Sequence, residues 1–383
     1  MNFKHLTSIA AAGASLIGVF SASPAFAGGI QAKTADPQKM VAYVDGVLAG
    51  KVNGYAVAIY KDGQLVATEK DGYSRNADDG DEYFEPTTRM EIASTTKTFT
   101  ALATLMLLER NGLSVDTKVN GYFPFDWNRG SGWENVTFRM LLSHRSGMKQ
   151  QIGNDPNFDT SWGGVQYAVN KPIRANSSYA YTNMNYSALR VLIPRLWKLA
   201  EPNNGQPSMN STNSGQIVMA FSNKYILGPA GISGGSCAAT DHTALAYDGN
   251  DSQLAGSPFE LSGSRLEECH GNRGLVLSAI ELAKFHDALR NGKVASQAVR
   301  DLMENKSGHY MGELGYDQGS NDEGTDRAGS FYHGGDLFGG VRETHTCGAK
   351  LPNGFSMGLL MNSPNNTGML NCRILLNAYA AGW

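Results

Sequence analysis

The stretch Glu91-Ile92-Ala93-Ser94-Thr95-Thr96-Lys97-Thr98-Phe99-Thr100 runs on through Ala101 to Arg110 and stops at Asn111-Gly112. Phe99, Leu102, Leu105, Met106, Leu107 and Leu108 cover almost the whole circumference of a helix over Thr95–Arg110. A helix that is apolar all round has no face to offer water, so it belongs in the middle of a protein. The Asn-Gly pair behind it is a common helix stop. The rest of the chain must therefore wrap this helix.

Working outward, Asp36 to Ala49 predicts a first helix, with Met40, Val41, Val44, Val47 and Leu48 at helical spacing. A hairpin follows: Tyr55 to Tyr60, a Lys61-Asp62-Gly63 turn, then Gln64 to Thr68. Further helices are expected near Tyr186–Leu199, Gln216–Tyr225 and Ser278–Asn291, with polar Glu201–Gly215 as a surface loop. Near the end, a short strand at Ser330–Tyr332 and strands around 338–347 and 355–362 precede a last helix, Leu370–Ala380. Strands at both ends with helices between predict an α+β fold: an antiparallel sheet built from both termini, flanked by helices, with a mostly helical insertion. The sheet is expected to draw on about 28–93 and 292–383, and the helical region on about 94–291, within one domain.

The chain has 383 residues, and its 32 Lys and Arg nearly balance 35 Asp and Glu, for a net charge of -3. That balance excludes the basic footprint of a nucleic-acid binder. Hydrophobic residues at 41% and charged residues at 17% exclude a disordered chain. Lys4 and His5 precede a short apolar run, Ile9–Phe20, and Ser21-Ala22-Ser23-Pro24-Ala25-Phe26-Ala27 ends in small-x-small form. Residues 1–27 therefore read as a signal peptide cleaved after Ala27, and the product, 28–383, as secreted or periplasmic. No later segment is apolar enough to span a membrane.

Cys237, Cys269, Cys347 and Cys372 make an even count that suits two disulfides in an exported chain, with three possible connectivities. Cys347 near a strand end and Cys372 in the last helix favour one bridge; Cys237 and Cys269, flanking a loop, favour the other. With no CxxC pair and no HExxH, neither a metal nor another cofactor is expected.

Three short boxes could carry chemistry. Ser94-x-x-Lys97 opens the buried helix, and a spacing of three puts ammonium and hydroxyl on one face. A lysine desolvated there can give up its proton and serve as base to the serine. Chance places about one or two SxxK matches in a chain of this size, and Ser146-Gly147-Met148-Lys149 is a second, in a Gly-containing loop. Tyr181-Thr182-Asn183 offers a phenol that can relay protons and an amide that can hold a carbonyl; alone, it is a turn with a capping residue. His333-Gly334-Gly335 offers a strand edge on which a substrate backbone can lie; alone, it is a Gly-rich turn. On a strand, His333 and Gly335 share one face and Asp336 points away. Two decoys compete. Gly231-Ile232-Ser233-Gly234-Gly235 matches GxSxG without the strand and helix that a nucleophile elbow needs. Lys306-Ser307-Gly308 resembles a KTG box but falls in a polar turn.

In order and spacing, Ser94-x-x-Lys97, Tyr181-x-Asn183 and His333-x-Gly335 resemble the serine β-lactamase-like hydrolases: class C β-lactamases, D-alanyl-D-alanine carboxypeptidases and related esterases. Leu141-Leu142-Ser143-His144-Arg145-Ser146-Gly147-Met148 is similar to that family's LLxHxSG segment, and Gly271–Phe285 to its glycine-then-helix stretch. The resemblance implies Ser94 as acylated nucleophile, Lys97 as general base and Tyr181 as proton relay. It implies Asn183 as a substrate contact, the backbone N–H groups of Ser94 and Asp336 as an oxyanion hole, and a small-molecule or peptide substrate. His144 reads as structural. His333 stands where β-lactamases carry Lys, as in the carboxypeptidase and esterase branches. The expected activity is hydrolysis of an ester or amide, with β-lactamase and a non-turnover penicillin-binding or scaffold protein as alternatives.

Overall fold

The computed structural model describes residues 34–250, 254–304, 314–316 and 329–383. The proposed signal peptide and Lys306-Ser307-Gly308 lie outside the described residues. The strands are β1 (Gly54–Lys61), β2 (Gln64–Arg75), β3 (Glu82–Tyr83), β4 (Met90–Glu91), β5 (Val276–Leu277), β6 (Phe331–Gly339), β7 (Arg342–Lys350) and β8 (Phe355–Met361). The helices are α1 (Pro37–Leu48), α2 (Thr96–Arg110), α3 (Phe138–Leu142), α4 (Met148–Ile152), α5 (Trp162–Asn170), α6 (Asn183–Ala200), α7 (Ser214–Ser222), α8 (Ala279–Arg290), α9 (Gln297–Met303) and α10 (Asn371–Ala381).

Six strands form one antiparallel sheet in the order β3-β2-β1-β8-β7-β6, so the two ends of the chain meet at the β1–β8 pair. The β1–β2 hairpin closes between Lys61 and Gln64, with Asp62 and Gly63 both at positive φ, as a two-residue hairpin turn requires. β1 is buried on both faces. Tyr55, Val57 and Ile59 join the core beneath α1 and α10, while Ala56, Ala58 and Tyr60 join the larger core around α2. Period-two alternation thus gives one strand to two cores. Gly358 lets α8 lie flat on that second face: a Cβ there would stand 2.5 Å from the Ala279 carbonyl oxygen.

Every residue of α2 from Thr96 to Leu108 is buried, as its composition requires. Two buried bridges, Cys237–Cys269 and Cys347–Cys372, lie one in each core, the second tying β7 to α10. Among the described residues no helix is long and apolar enough to cross a membrane.

Some boundaries differ from the expectation. The strand expected at 338–347 is two strands, because Gly340 takes φ 70° and reverses the chain between β6 and β7. The helix expected from Tyr186 begins at Asn183, since the Thr182 side chain caps it by accepting from Met184 N–H. The helix expected through Tyr225 leaves α geometry at Asn223, where a π turn takes over. β5 lies inside the stretch expected to be helical and α9 inside the stretch assigned to the sheet. A two-residue strand carries no alternation to read.

Candidate active site

Ser94 sits in a 3-10 turn, Ala93–Thr95, that leads directly into α2. Ala93 before it takes φ 50°, a left-handed conformation that a residue with a Cβ adopts only when its surroundings compel it. Those surroundings are the sheet edge. Thr95 Oγ1 donates to the His333 carbonyl at 3.1 Å, and Thr346 Oγ1 donates to the Ile92 carbonyl at 2.8 Å. The two threonine hydroxyls also meet at 3.0 Å. The nucleophile turn is thereby stitched to β6 and β7.

One turn along α2, Lys97 is fully buried, and its Nζ lies 2.7 Å from Ser94 Oγ and 2.9 Å from the Asn272 carbonyl oxygen. Tyr181, a residue 38% exposed, donates its hydroxyl to the same Ser94 Oγ at 3.0 Å. Lys97 Nζ also faces the Tyr181 ring, 5.0 Å from its centroid. One oxygen thus meets a nitrogen base and a phenol together, the arrangement that proton transfer to and from a nucleophile needs.

His144 buttresses Tyr181. Their rings lie 4.5 Å apart, and His144 Nδ1 accepts from Thr182 N–H at 3.3 Å and from the Asn185 amide at 3.1 Å. Burial, and then the charges of Lys97 and His333, hold this imidazole well below its ordinary pKa, so it is neutral.

Along β6, His333 is 3% exposed, its Nδ1 2.6 Å from the Gly334 carbonyl oxygen. Gly335 faces the nucleophile turn: a Cβ there would stand 2.6 Å from the Ile92 carbonyl oxygen and 2.9 Å from Ala93 Cβ. Gly334 faces the other way, toward Cys372 and Asn371. The Asp336 carboxylate lies on that far face, accepting from His345 Nδ1 at 2.6 Å and from the Asn371 amide at 3.3 Å. His345 Nε2 donates to Glu343 at 2.9 Å. Burial opposes charge on His345, but its bonds to Asp336 and Glu343 outweigh burial and raise its pKa. Asn183, first residue of α6, is exposed.

The competing serines lie apart from this cluster. Ser146 is buried and donates to Asn185 Oδ1 at 2.6 Å, while Lys149 is exposed on α4. Ser233 is exposed in a loop with neither strand nor helix beside it. Sequence reasoning missed Asn272, whose carbonyl contacts Lys97, and the threonine stitches. Backbone carbonyls and buried threonines carry no motif.

Residues 37–198 match the family model described as Beta-lactamase. Protein flp of Staphylococcus aureus (strain NCTC 8325 / PS 47) is 30% identical over 159 residues, 39% of this chain and 31% of that protein. The chain spans about a third of the length of the curated relatives it matches. The octameric penicillin-binding protein homologue from Pyrococcus abyssi superposes with a TM-score of 0.65 at 22% identity, covering 90% of this chain and 77% of its own. D-amino acid amidase from Ochrobactrum anthropi SV3 superposes with a TM-score of 0.64 at 18% identity, covering 90% of this chain and 98% of its own.

Proposed function

We propose, from the Beta-lactamase family match over residues 37–198 and the fold shared with the penicillin-binding protein homologue and the amidase, that the chain is an exported serine hydrolase acting on an ester or amide through an acyl-enzyme at Ser94. The observation that carries the reading is Ser94 Oγ lying within hydrogen-bond reach of both Lys97 Nζ and Tyr181 OH. Neutral Lys97 takes the Ser94 proton as Oγ attacks the substrate carbonyl carbon, giving a tetrahedral oxyanion. The N–H groups of Ser94 and Asp336 receive that charge, and Asn183 holds the substrate amide. The proton passes through Tyr181 to the leaving nitrogen or oxygen as its bond to carbon breaks. Water then adds to the acyl-enzyme, giving a proton to the same relay, which delivers it to Oγ as the ester C–O bond breaks and the acid is released. Every step uses side chains, backbone and water.

The named activity of the amidase neighbour supports an amide substrate. His333 in place of a lysine ammonium supports a preference for substrates other than penicillins. The two disulfides suit an oxidising compartment, and with it export. The test uses p-nitrophenyl esters, D-amino acid amides and a fluorescent penicillin. Ser94→Ala is expected to lower turnover by about four orders of magnitude, and intact-mass analysis to find the acyl group on Ser94. A persistent penicillin label with no turnover of any substrate would replace hydrolase with binding protein. Fast penicillin turnover would put β-lactamase first.

A further inference from the structure

Three residues before the nucleophile, Glu91 on β4 has a side chain only 1% exposed and is gripped at both carboxylate oxygens by Arg273. Arg273 also donates to the Phe259 carbonyl oxygen. Directly before Arg273 stands Asn272, the residue whose carbonyl oxygen meets Lys97 Nζ at 2.9 Å. Asn272 is itself buried, and its side-chain oxygen accepts from Ser187 on α6 at 3.0 Å. The peptide joining Asn272 to Arg273 is thus clamped at each end, by an ion pair to the nucleophile strand and by a hydroxyl from the helix behind Tyr181. Backbone bonds define the turn around it: Thr100 Oγ1 donates to the Gly271 carbonyl at 2.7 Å, His270 N–H to the Arg273 carbonyl at 3.1 Å, and Ile92 N–H to the Leu275 carbonyl at 2.9 Å.

Resting on the acyl-enzyme reading above, we propose that the Glu91–Arg273 pair is a positioning device that sets the Asn272 carbonyl and, through it, the aim of the Lys97 nitrogen at Ser94. A neutral amine has two N–H donors and one lone pair. When one N–H is held by the Asn272 carbonyl, rotation about the last carbon–nitrogen bond is fixed and the lone pair is free to face Ser94 Oγ. If the Asn272–Arg273 peptide turns, that restraint goes, and misalignment of a base by about 1 Å costs about a hundredfold in rate. A pair placed only for stability is a weak choice, since two buried charges gain little over well-packed apolar side chains.

The experiment compares wild type with Glu91→Gln/Arg273→Met, which removes both charges and leaves neither unpaired, and with Arg273→Lys, which keeps the charge. Ester hydrolysis is followed across pH 5–9, with melting temperature and Ser94→Ala measured alongside. The double variant is expected to lose about 10- to 100-fold in kcat with KM within about twofold. Its acid limb of kcat/KM should move down, because the Glu91 carboxyl, which burial raises to about 7 against the pull of Arg273, no longer gains a proton in this window. Arg273→Lys is expected to recover part of kcat and most of the pH profile. A lowered melting temperature with unchanged kcat and pH profile overturns the proposal and leaves the pair a structural brace. If Ser94→Ala keeps its turnover, the serine reading fails and this inference falls with it; if Ser94→Ala is dead and the double variant is normal, only this inference falls.

Discussion

The adjacent glycines of β6 face opposite ways, and substituting each by alanine separates the nucleophile side of the strand from its back. A methyl at Gly335 would stand 2.6 Å from the Ile92 carbonyl oxygen, 2.7 Å from Thr346 Oγ1 and 2.9 Å from Ala93 Cβ. A comfortable carbon–oxygen contact is about 3.3–3.6 Å, so β6 and the nucleophile turn must part by about 0.7–1 Å. Overpacking of this kind costs about 1–3 kcal/mol in stability, or about 1–4 °C in melting temperature for a domain this large. The loss in catalysis should be greater. The displaced atoms belong to the turn holding Ser94, so an opening near 1 Å predicts a fall of about a hundredfold in kcat/KM, about 2.7 kcal/mol of barrier. A methyl at Gly334 meets Cys372 Sγ at 3.4 Å and the Asn371 amide at 3.5 and 3.7 Å, all ordinary contacts. Gly334→Ala should therefore hydrolyse p-nitrophenyl esters within about twofold of wild type. Initial rates and thermal melts on both variants decide the matter. Wild-type activity in Gly335→Ala, or a larger loss in Gly334→Ala, would falsify the placement of β6 against the nucleophile.

Ser233→Ala, in an exposed loop, is expected to keep kcat, whereas Ser146→Ala leaves the Asn185 amide oxygen without its donor and should lower the melting temperature while Ser94 still acylates; mass spectrometry of the labelled protein checks both. Removing the Cys347–Cys372 bridge, which spans 25 residues, should cost about 3.5 kcal/mol by loop entropy, or about 5 °C, and a melt unchanged by Cys347→Ser/Cys372→Ser would contradict that. His345 has a raised pKa in the fold, so its contribution to stability is full below about 6.5 and is lost as pH rises through the raised value. Melting temperatures from pH 5 to 9 should accordingly fall less steeply in His345→Gln than in wild type.

What could be read directly from the chain was what neighbouring residues decide. The all-apolar circumference of α2, the Asp62-Gly63 turn and the strand at Tyr55–Tyr60 each rest on a few consecutive side chains, and each stands in the fold as expected. The cysteine partners were legible because the bridges link elements whose positions were already implied. The cluster of Ser94, Lys97 and Tyr181 was suggested by order along the chain, and the fold brings those side chains to one oxygen. Its supports were not legible. Glu91 and Arg273 are 182 positions apart, Asn272 acts through a carbonyl that every residue owns, and β4 and β5 are two residues each. The β6–β7 turn was missed because Gly339 and Gly340 sit inside a run that otherwise reads as extended.

The pairing of β1 with β8 also dictates when the protein can fold. As the chain leaves the ribosome, β1 and β2 emerge together while the edge that β1 gives to β8 has no partner. Its partner, Phe355–Met361, is made almost three hundred residues later, about 15–60 s at ordinary rates of translation. Until then an apolar strand with open N–H and C=O groups is an invitation to other chains. A truncated product lacking the last strand and helix would keep that edge permanently.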